Sequence, residues 1–239
     1  MFLIAIIGHV LGDFYLQSQQ LANYKEENFF GVIRHSIVYS LAMLMTALSV
    51  NMVSYIINYN LEMKAVMLYA VILAVVHFVI DAVKYNACIF YAKNKVDKET
   101  VIHEKSEEEL KESKRCYKEQ IKPYVYMADQ LLHIGVIIIV ILKVTKSGNL
   151  FYTPKEMEIC IRALVGLLII FKPTNITFNT IIKDYKPKTD ESGNLKVIDR
   201  NAGRSIGNLE RLLVFLLLIA NQYSAIGFIF AAKSITRYE

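Results

Sequence analysis

The length of its apolar runs constrains this chain more than any other feature. Residues 64–91 and 122–145 are mostly apolar, with no polar stripe running along their full length. A soluble helix concentrates its apolar side chains on one stripe, whereas a run of about 18 or more reads as a bilayer crossing. Six hydrophobic segments can be drawn, at about 2–17, 32–57, 64–91, 122–145, 156–182 and 205–233. They lack the period-two alternation of barrel strands, and only helices otherwise satisfy every backbone group in lipid. The expected fold is all-α: a polytopic membrane helix bundle of about six transmembrane helices, with the lipid bilayer as its first partner. The first segment is short, and whether it fully spans is left open. With no basic n-region and no small-x-small cleavage site, it is read as retained rather than as a signal peptide.

Charge supports the same reading. The net charge of +5 comes largely from residues between the apolar runs, and no aromatic-and-basic stripe suggests a nucleic acid partner. Nine basic residues lie between Lys93 and Lys122 and six between Lys183 and Arg204, so these two linkers are expected on the cytoplasmic side. With six full spans both termini would lie outside. The 93–121 stretch is expected to form a charged cytoplasmic linker helix, opened by a capping box of Ser106 and Glu109 and supported by Glu107 with Lys111. A turn is expected at residues 192–194. Two regions follow: an N-terminal membrane domain, 1–145, and a C-terminal membrane extension, 146–239. Cys88, Cys116 and Cys160 have neither metal-ligand spacing nor a disulfide pattern.

Against this apolar background the polar residues stand out. Four of the five histidines lie inside hydrophobic segments, and three of them have an aspartate four residues away: His9 with Asp13, His77 with Asp81, and His133 with Asp129. Four residues is about one helical turn, so each pair shares a face. Chance placement would give about 0.3 such pairs. His35 and Arg34 open the second span, and Lys84 follows Asp81 by three. Because successive spans reverse direction, all these positions fall toward the basic side, with Glu210 and Arg211 early in the sixth span.

Ionisable groups near the bilayer centre cost roughly 2.5–3.5 kcal/mol each unless they pair, hydrate or bind an ion. Imidazoles with carboxylates suit Zn²⁺, Mn²⁺ or Fe²⁺. The candidate ligand set is His9, Asp13, His35, His77, Asp81, Asp129 and His133, enough for a dinuclear site. Asp81, Lys84 and Arg34 are the candidate catalytic groups, the two cations holding an anionic substrate. The bland alternative is that the pairs are interhelical hydrogen bonds, worth about 0.6–2 kcal/mol each. His103 lies in the charged linker and reads as a surface residue. Asn221 and Gln222 read as packing groups, the tyrosines mostly as an interface belt, and Gly203 with Gly207 as a close helix approach.

The stretches "GHVLGDFYLQSQQLA" (8–22), "RHSIVYSL" (34–41), "HFVIDAVK" (77–84) and "DQLLH" (129–133) resemble the bacterial membrane proteins of domain of unknown function 3307. Residues 172–183 and 203–238 are similar to the C-terminal extension of its longer members. The resemblance implies a multi-pass protein of the bacterial inner membrane and carries no activity with it. A looser likeness, in the helical His-x-x-x-Asp pattern, is to metal-dependent membrane hydrolases.

Three functions fit. The first is a metal-dependent hydrolase acting on a lipid or phosphate-bearing substrate at the cytoplasmic leaflet. The second is a non-enzymatic carrier of protons or metal ions. The third is a structural or signalling protein that holds a partner through the charged linker.

Overall fold

The structure is a computed structural model describing residues 2–56, 63–100, 107–146, 155–181 and 200–235. Every regular element among them is helical: α1 (Phe2–Val10), a π-helical turn (Leu11–Tyr15), α2 (Gln19–Glu27), α3 (Phe29–Ile56), α4 (Met63–Thr100), α5 (Glu107–Lys146), α6 (Lys155–Ile170), α7 (Lys172–Ile181), α8 (Arg200–Ile219) and α9 (Tyr223–Ile235). The chain forms two compact units, Met1–Ile161 and Arg162–Glu239, a division later in the chain than the 145/146 boundary drawn from the sequence.

In the first unit α3 packs on α4, α4 on α5, and α1 against both α3 and α5, while α2 lies on α3. The bundle is inverted relative to a soluble protein. Its least exposed large side chains are Tyr39, His35, His77, Val32 and Asp81, while Met45, Met52, Val83 and Leu131 are each more than 60 % exposed on the outside. Lipid is the solvent that makes this arrangement favourable. Hydroxyls along α3 turn back onto the helix itself, Ser36 donating to the Val32 carbonyl at 2.8 Å and Thr46 to that of Ala42 at 2.8 Å.

Among the described residues four helical stretches are long and apolar enough to cross a membrane: Phe29–Ile56, Met63–Lys95, Ile121–Lys143 and Glu158–Ile181. The expected six are reduced at both ends. The first segment is a 14-residue stretch, Phe2–Tyr15, that would extend only about 21 Å against a hydrocarbon core of about 30 Å. The sixth is broken into α8 and α9. Asn221 adopts a left-handed φ of 57°, the Gln222 N–H reaches the Leu217 carbonyl and the Asn221 N–H that of Leu218. This is a Schellman cap with asparagine in the position usually held by glycine, so Asn221 ends a helix rather than gluing two together. The chain then doubles back, and the ammonium of Lys233 on α9 pairs with Glu210 on α8.

The 93–121 stretch does not form a separate helix. Residues up to Thr100 extend α4, and those from Glu107 extend α5, which continues through Pro123 into its apolar span. Residues 101–106, including His103 and the Ser106 cap, and the turn at 192–194 lie outside the described residues.

In the second unit α6 and α7 are one apolar stretch interrupted at Phe171, just before Pro173. Proline has no N–H to return to the preceding turn. The Thr174 hydroxyl instead bonds the Ile169 carbonyl at 2.7 Å, and Arg211 Nε the Ile170 carbonyl at 2.9 Å. Arg211 also donates to Asn175 and Asn208, both at 2.6 Å. The close helix approach expected at Gly203 lies elsewhere: a Cβ at Gly203 would meet nothing, whereas one at Gly166 would fall 2.4 Å from the Phe215 ring.

Small residues also set the spacing of the first unit. Gly8 and Gly12, four apart, let α1 and the π-turn sit against Met43 and Tyr39 of α3; a Cβ on Gly12 would lie 2.7 Å from the Tyr39 ring and 3.2 Å from its Cα. Gly12→Ala is therefore expected to lower stability by about 1–3 kcal/mol through overpacking. Gly135→Ala, where a Cβ meets nothing, should change it by no more than about 1 kcal/mol. Thermal unfolding of both variants in detergent micelles checks the contrast.

Candidate metal centre

The π-turn carries the first acid into the bundle. The Leu16 N–H bonds the Leu11 carbonyl at 2.8 Å, five residues back, so the turn is wider than α. Asp13 sits in this turn, with Gly12 against Tyr39 beside it. His9, one α-helical turn earlier, places Nδ1 3.3 Å from the Tyr39 hydroxyl.

α2 contributes a residue that the sequence reading placed in a linker. Ser18 caps it, accepting from the Leu21 N–H at 3.2 Å. Gly31 at the start of α3 lies so close that a Cβ there would fall 2.4 Å from the Tyr24 carbonyl oxygen and 2.5 Å from the Lys25 nitrogen. That approach drives Lys25 inward, leaving it 8 % exposed. Its Nζ lies 2.7 Å from Asp81 Oδ2 and 3.8 Å from Asp13 Oδ1.

His35 on α3 and His77 on α4 face each other with their Nε2 atoms 3.0 Å apart. His35 Nε2 is also 3.1 Å from Asp13 Oδ1 and 3.4 Å from Asp81 Oδ2, and His77 Nε2 is 3.3 Å from Asp81 Oδ2 and 3.9 Å from Asp13 Oδ1. Tyr39 lies flat on the His77 ring, centroids 3.5 Å apart and planes within 3°. Two nitrogens and two carboxylate oxygens from α3, α4 and the π-turn thus converge on one point.

Asp129 and His133 come from α5. His133 Nδ1 is 2.8 Å from the Asp129 backbone carbonyl, which can only accept, so Nδ1 is the donor and, in the neutral ring, the lone pair is on Nε2. That Nε2 is buried with no hydrogen-bond partner, as are His9 Nε2 and the Nδ1 atoms of His35 and His77. The His133 ring is 4.3 Å from that of His77 and 5.3 Å from that of His9. Lys84 bridges two acids, 3.0 Å from Asp81 Oδ1 and 2.8 Å from Asp129 Oδ2. Gln130 donates to Asp13 Oδ2 at 2.9 Å.

The seven candidate ligands are all buried in the first unit. Among the described residues two triads offer ligand atoms within 4.8 Å of one another: Asp13, His35 and His77, and His77, Asp81 and His133. Arg34 is elsewhere, exposed, with its guanidinium 5.5 Å from the Tyr24 ring centre. Lys84 is occupied by two carboxylates rather than held ready for an anion. Glu210 and Arg211 find their partners within the second unit, as described above.

Sequence reasoning missed Lys25, Tyr39 and Gln130. Each carried a signal. Lys25 follows Leu21 by four, on the apolar side of a short polar helix; Tyr39 follows His35 by four; and Gln130 is an amide within an apolar span. Tyr39 is a core residue and not part of an interface belt.

With the imidazoles neutral, three carboxylates face two ammoniums, leaving one net negative charge in a buried site. Lys84→Met would leave Asp81 and Asp129 without their shared counter-ion. A loss of about 3–5 kcal/mol is expected, with partial recovery in Lys84→Met combined with Asp129→Asn. Denaturant unfolding in detergent measures it.

Comparison with known proteins places residues 1–161 in a match to the family model described as "Protein of unknown function (DUF3307)". The pieces at 172–183 and 203–238 lie beyond that match. No curated protein and no solved structure matches the chain.

Proposed function

Because the chain belongs to the DUF3307 family, whose description assigns no activity, its function must be argued from the site, and we propose that it is a metal-dependent membrane hydrolase in which Asp13, His35, His77 and Asp81 hold a divalent ion. One observation carries this reading. Metal–ligand bonds of about 2.0–2.2 Å set tetrahedral ligand atoms about 3.3–3.6 Å apart. Five separations among these four donor atoms run from 3.0 to 3.9 Å. Two imidazoles with two carboxylates fit Zn²⁺, Mn²⁺ or Fe²⁺, and the net negative charge of the cluster favours a cation.

A divalent ion there would acidify bound water toward a pKa of about 7 and polarise a phosphoryl or carbonyl oxygen. His133 supplies what hydrolysis needs in addition. Its fixed tautomer leaves Nε2 to accept a proton beside the His77–Asp81 edge, and the Asp129 carbonyl orients the ring. Tyr39 holds His77 in place by stacking. The substrate class proposed is a lipid or another phosphate-bearing molecule. The leaflet proposed is the cytoplasmic one of a bacterial inner membrane, on the side of the basic linkers. In support, the cluster lies beside α2, which is tied to the start of the α5 span by Lys122 with Glu26 at 2.9 Å.

A second reading is favoured by a different observation. With Lys84 held between two acids and Arg34 lying on Tyr24, neither cation expected to bind an anionic substrate is available for it. A non-enzymatic carrier of metal ions or protons needs no such group.

Metal analysis of the purified protein decides the premise that the hydrolase shares with the metal-ion carrier. About one ion per chain is expected, falling to background in His77→Ala and Asp81→Asn. An ion-dependent release of phosphate from phospholipid or lipid-linked phosphate, abolished by chelation, supports the hydrolase. Metal flux into liposomes without any product supports the carrier. A wild-type protein that takes up no ion overturns both metal readings.

A further inference from the structure

We infer that Lys25 is a tethered cation standing where the divalent ion binds, so that loading the ion requires its ammonium, and with it α2, to withdraw. This rests on the metal reading above and deepens it.

The oxygens that Lys25 touches are the ones assigned to the ion. Its Nζ lies against Asp81 Oδ2 and Asp13 Oδ1. Lys84 differs in this respect, because it uses the other oxygen of Asp81, Oδ1, together with Asp129. A divalent ion bonded to Oδ2 and Oδ1 would face the Lys25 ammonium across the same two atoms, with like charges in a buried site. The charge balance points the same way. Three carboxylates and two ammoniums leave one net negative charge. Adding a divalent ion with both lysines in place would leave one net positive charge, and withdrawing Lys25 would leave none. Of the two lysines, only Lys25 sits on an element small enough to leave. α2 has nine residues, its other charged side chains are exposed, and besides Lys25 it is held to α3 by the backbone approach at Gly31 and the Arg34–Tyr24 contact, and to α5 by the half-exposed pair of Lys122 and Glu26. Lys84 lies within the long α4.

The cluster therefore has two self-consistent states. In one, the ammonium satisfies the Asp13–Asp81 pair and α2 covers the site. In the other, the ion satisfies the same pair and α2 is released. A site that exchanges its own ammonium for an ion keeps its buried acids compensated in both states.

The test titrates full-length protein in detergent with Mn²⁺ alone and Zn²⁺ alone, followed by calorimetry, in wild type, Lys25→Met, Lys25→Gln and Lys25→Arg. Lys25→Gln keeps an N–H donor for Asp81 and carries the test if Lys25→Met does not fold. Both neutral variants should bind the ion at least about tenfold more tightly than wild type at unchanged stoichiometry, and Lys25→Arg no more tightly. Amide hydrogen exchange across residues 19–27 should rise on loading in wild type and stay unchanged on loading in Lys25→Gln. Equal or weaker binding by both neutral variants, or α2 exchange in wild type that ignores the ion, overturns the inference while leaving the metal site standing. Absence of ion binding in wild type and variants alike removes the metal reading and this inference together.

Discussion

A carboxylate with no solvent exposure, Asp81, organises the first unit. An ionised acid inside a helix bundle costs several kcal/mol unless cations and hydrogen-bond donors surround it. The partners that meet this requirement come from three elements: Lys25 from α2, His35 from α3, and His77 and Lys84 from the preceding and following turns of Asp81's own α4. Asp13 and Asp129 then serve as further acids for those same cations and rings. The π-turn, α3, α4 and α5 are held in register because a slip of any of them would leave a charge facing hydrocarbon.

Close backbone approach makes that convergence geometrically available. Gly8 and Gly12 bring α1 and its wide turn against α3, and Gly31 brings the α2 backbone against the first turn of α3. In lipid no hydrophobic term favours one helix contact over another, so association depends on packing and on polar contacts. Here the two coincide. Two of the glycines adjoin functional groups in sequence, Gly8 with His9 and Gly12 with Asp13, and Gly31 adjoins Lys25 in space, so these close contacts and the buried charges occupy the same places.

Much of this was legible in the residues. Uninterrupted apolar runs specify helices in lipid, and ionisable groups inside them are expensive enough to predict that they meet. His9, Asp13, His35, His77, Asp81, Asp129 and His133 do gather in one unit. What the pattern concealed has physical causes. Lys25 was invisible because its segment is polar overall, and only the local face of a nine-residue helix distinguishes an inward lysine from a solvated one. Arg34 adjoins His35 in sequence, but neighbours in a helix point about 100° apart, which carries its side chain outward. The sixth segment is apolar on both sides of Asn221, and hydropathy alone does not register that this asparagine, in a left-handed conformation, turns it back on itself. Hydropathy alone also left open whether the first segment spans, and its 14-residue length falls short of a crossing.

The π-turn at residues 11–15 has a further implication. Each residue of an α-helix advances the side-chain direction by about 100°, and a wider turn advances it less. The turn therefore acts as a phase shift along the first helix, so that the azimuth of Asp13 is uncoupled from that of Ile4 and Gly8. The aim of the acid is encoded in the number of residues across that turn as much as in their identities. Over this stretch the chain should accept exchanges of side chain more readily than a gain or loss of one position, which would swing the carboxylate out of line with both imidazoles.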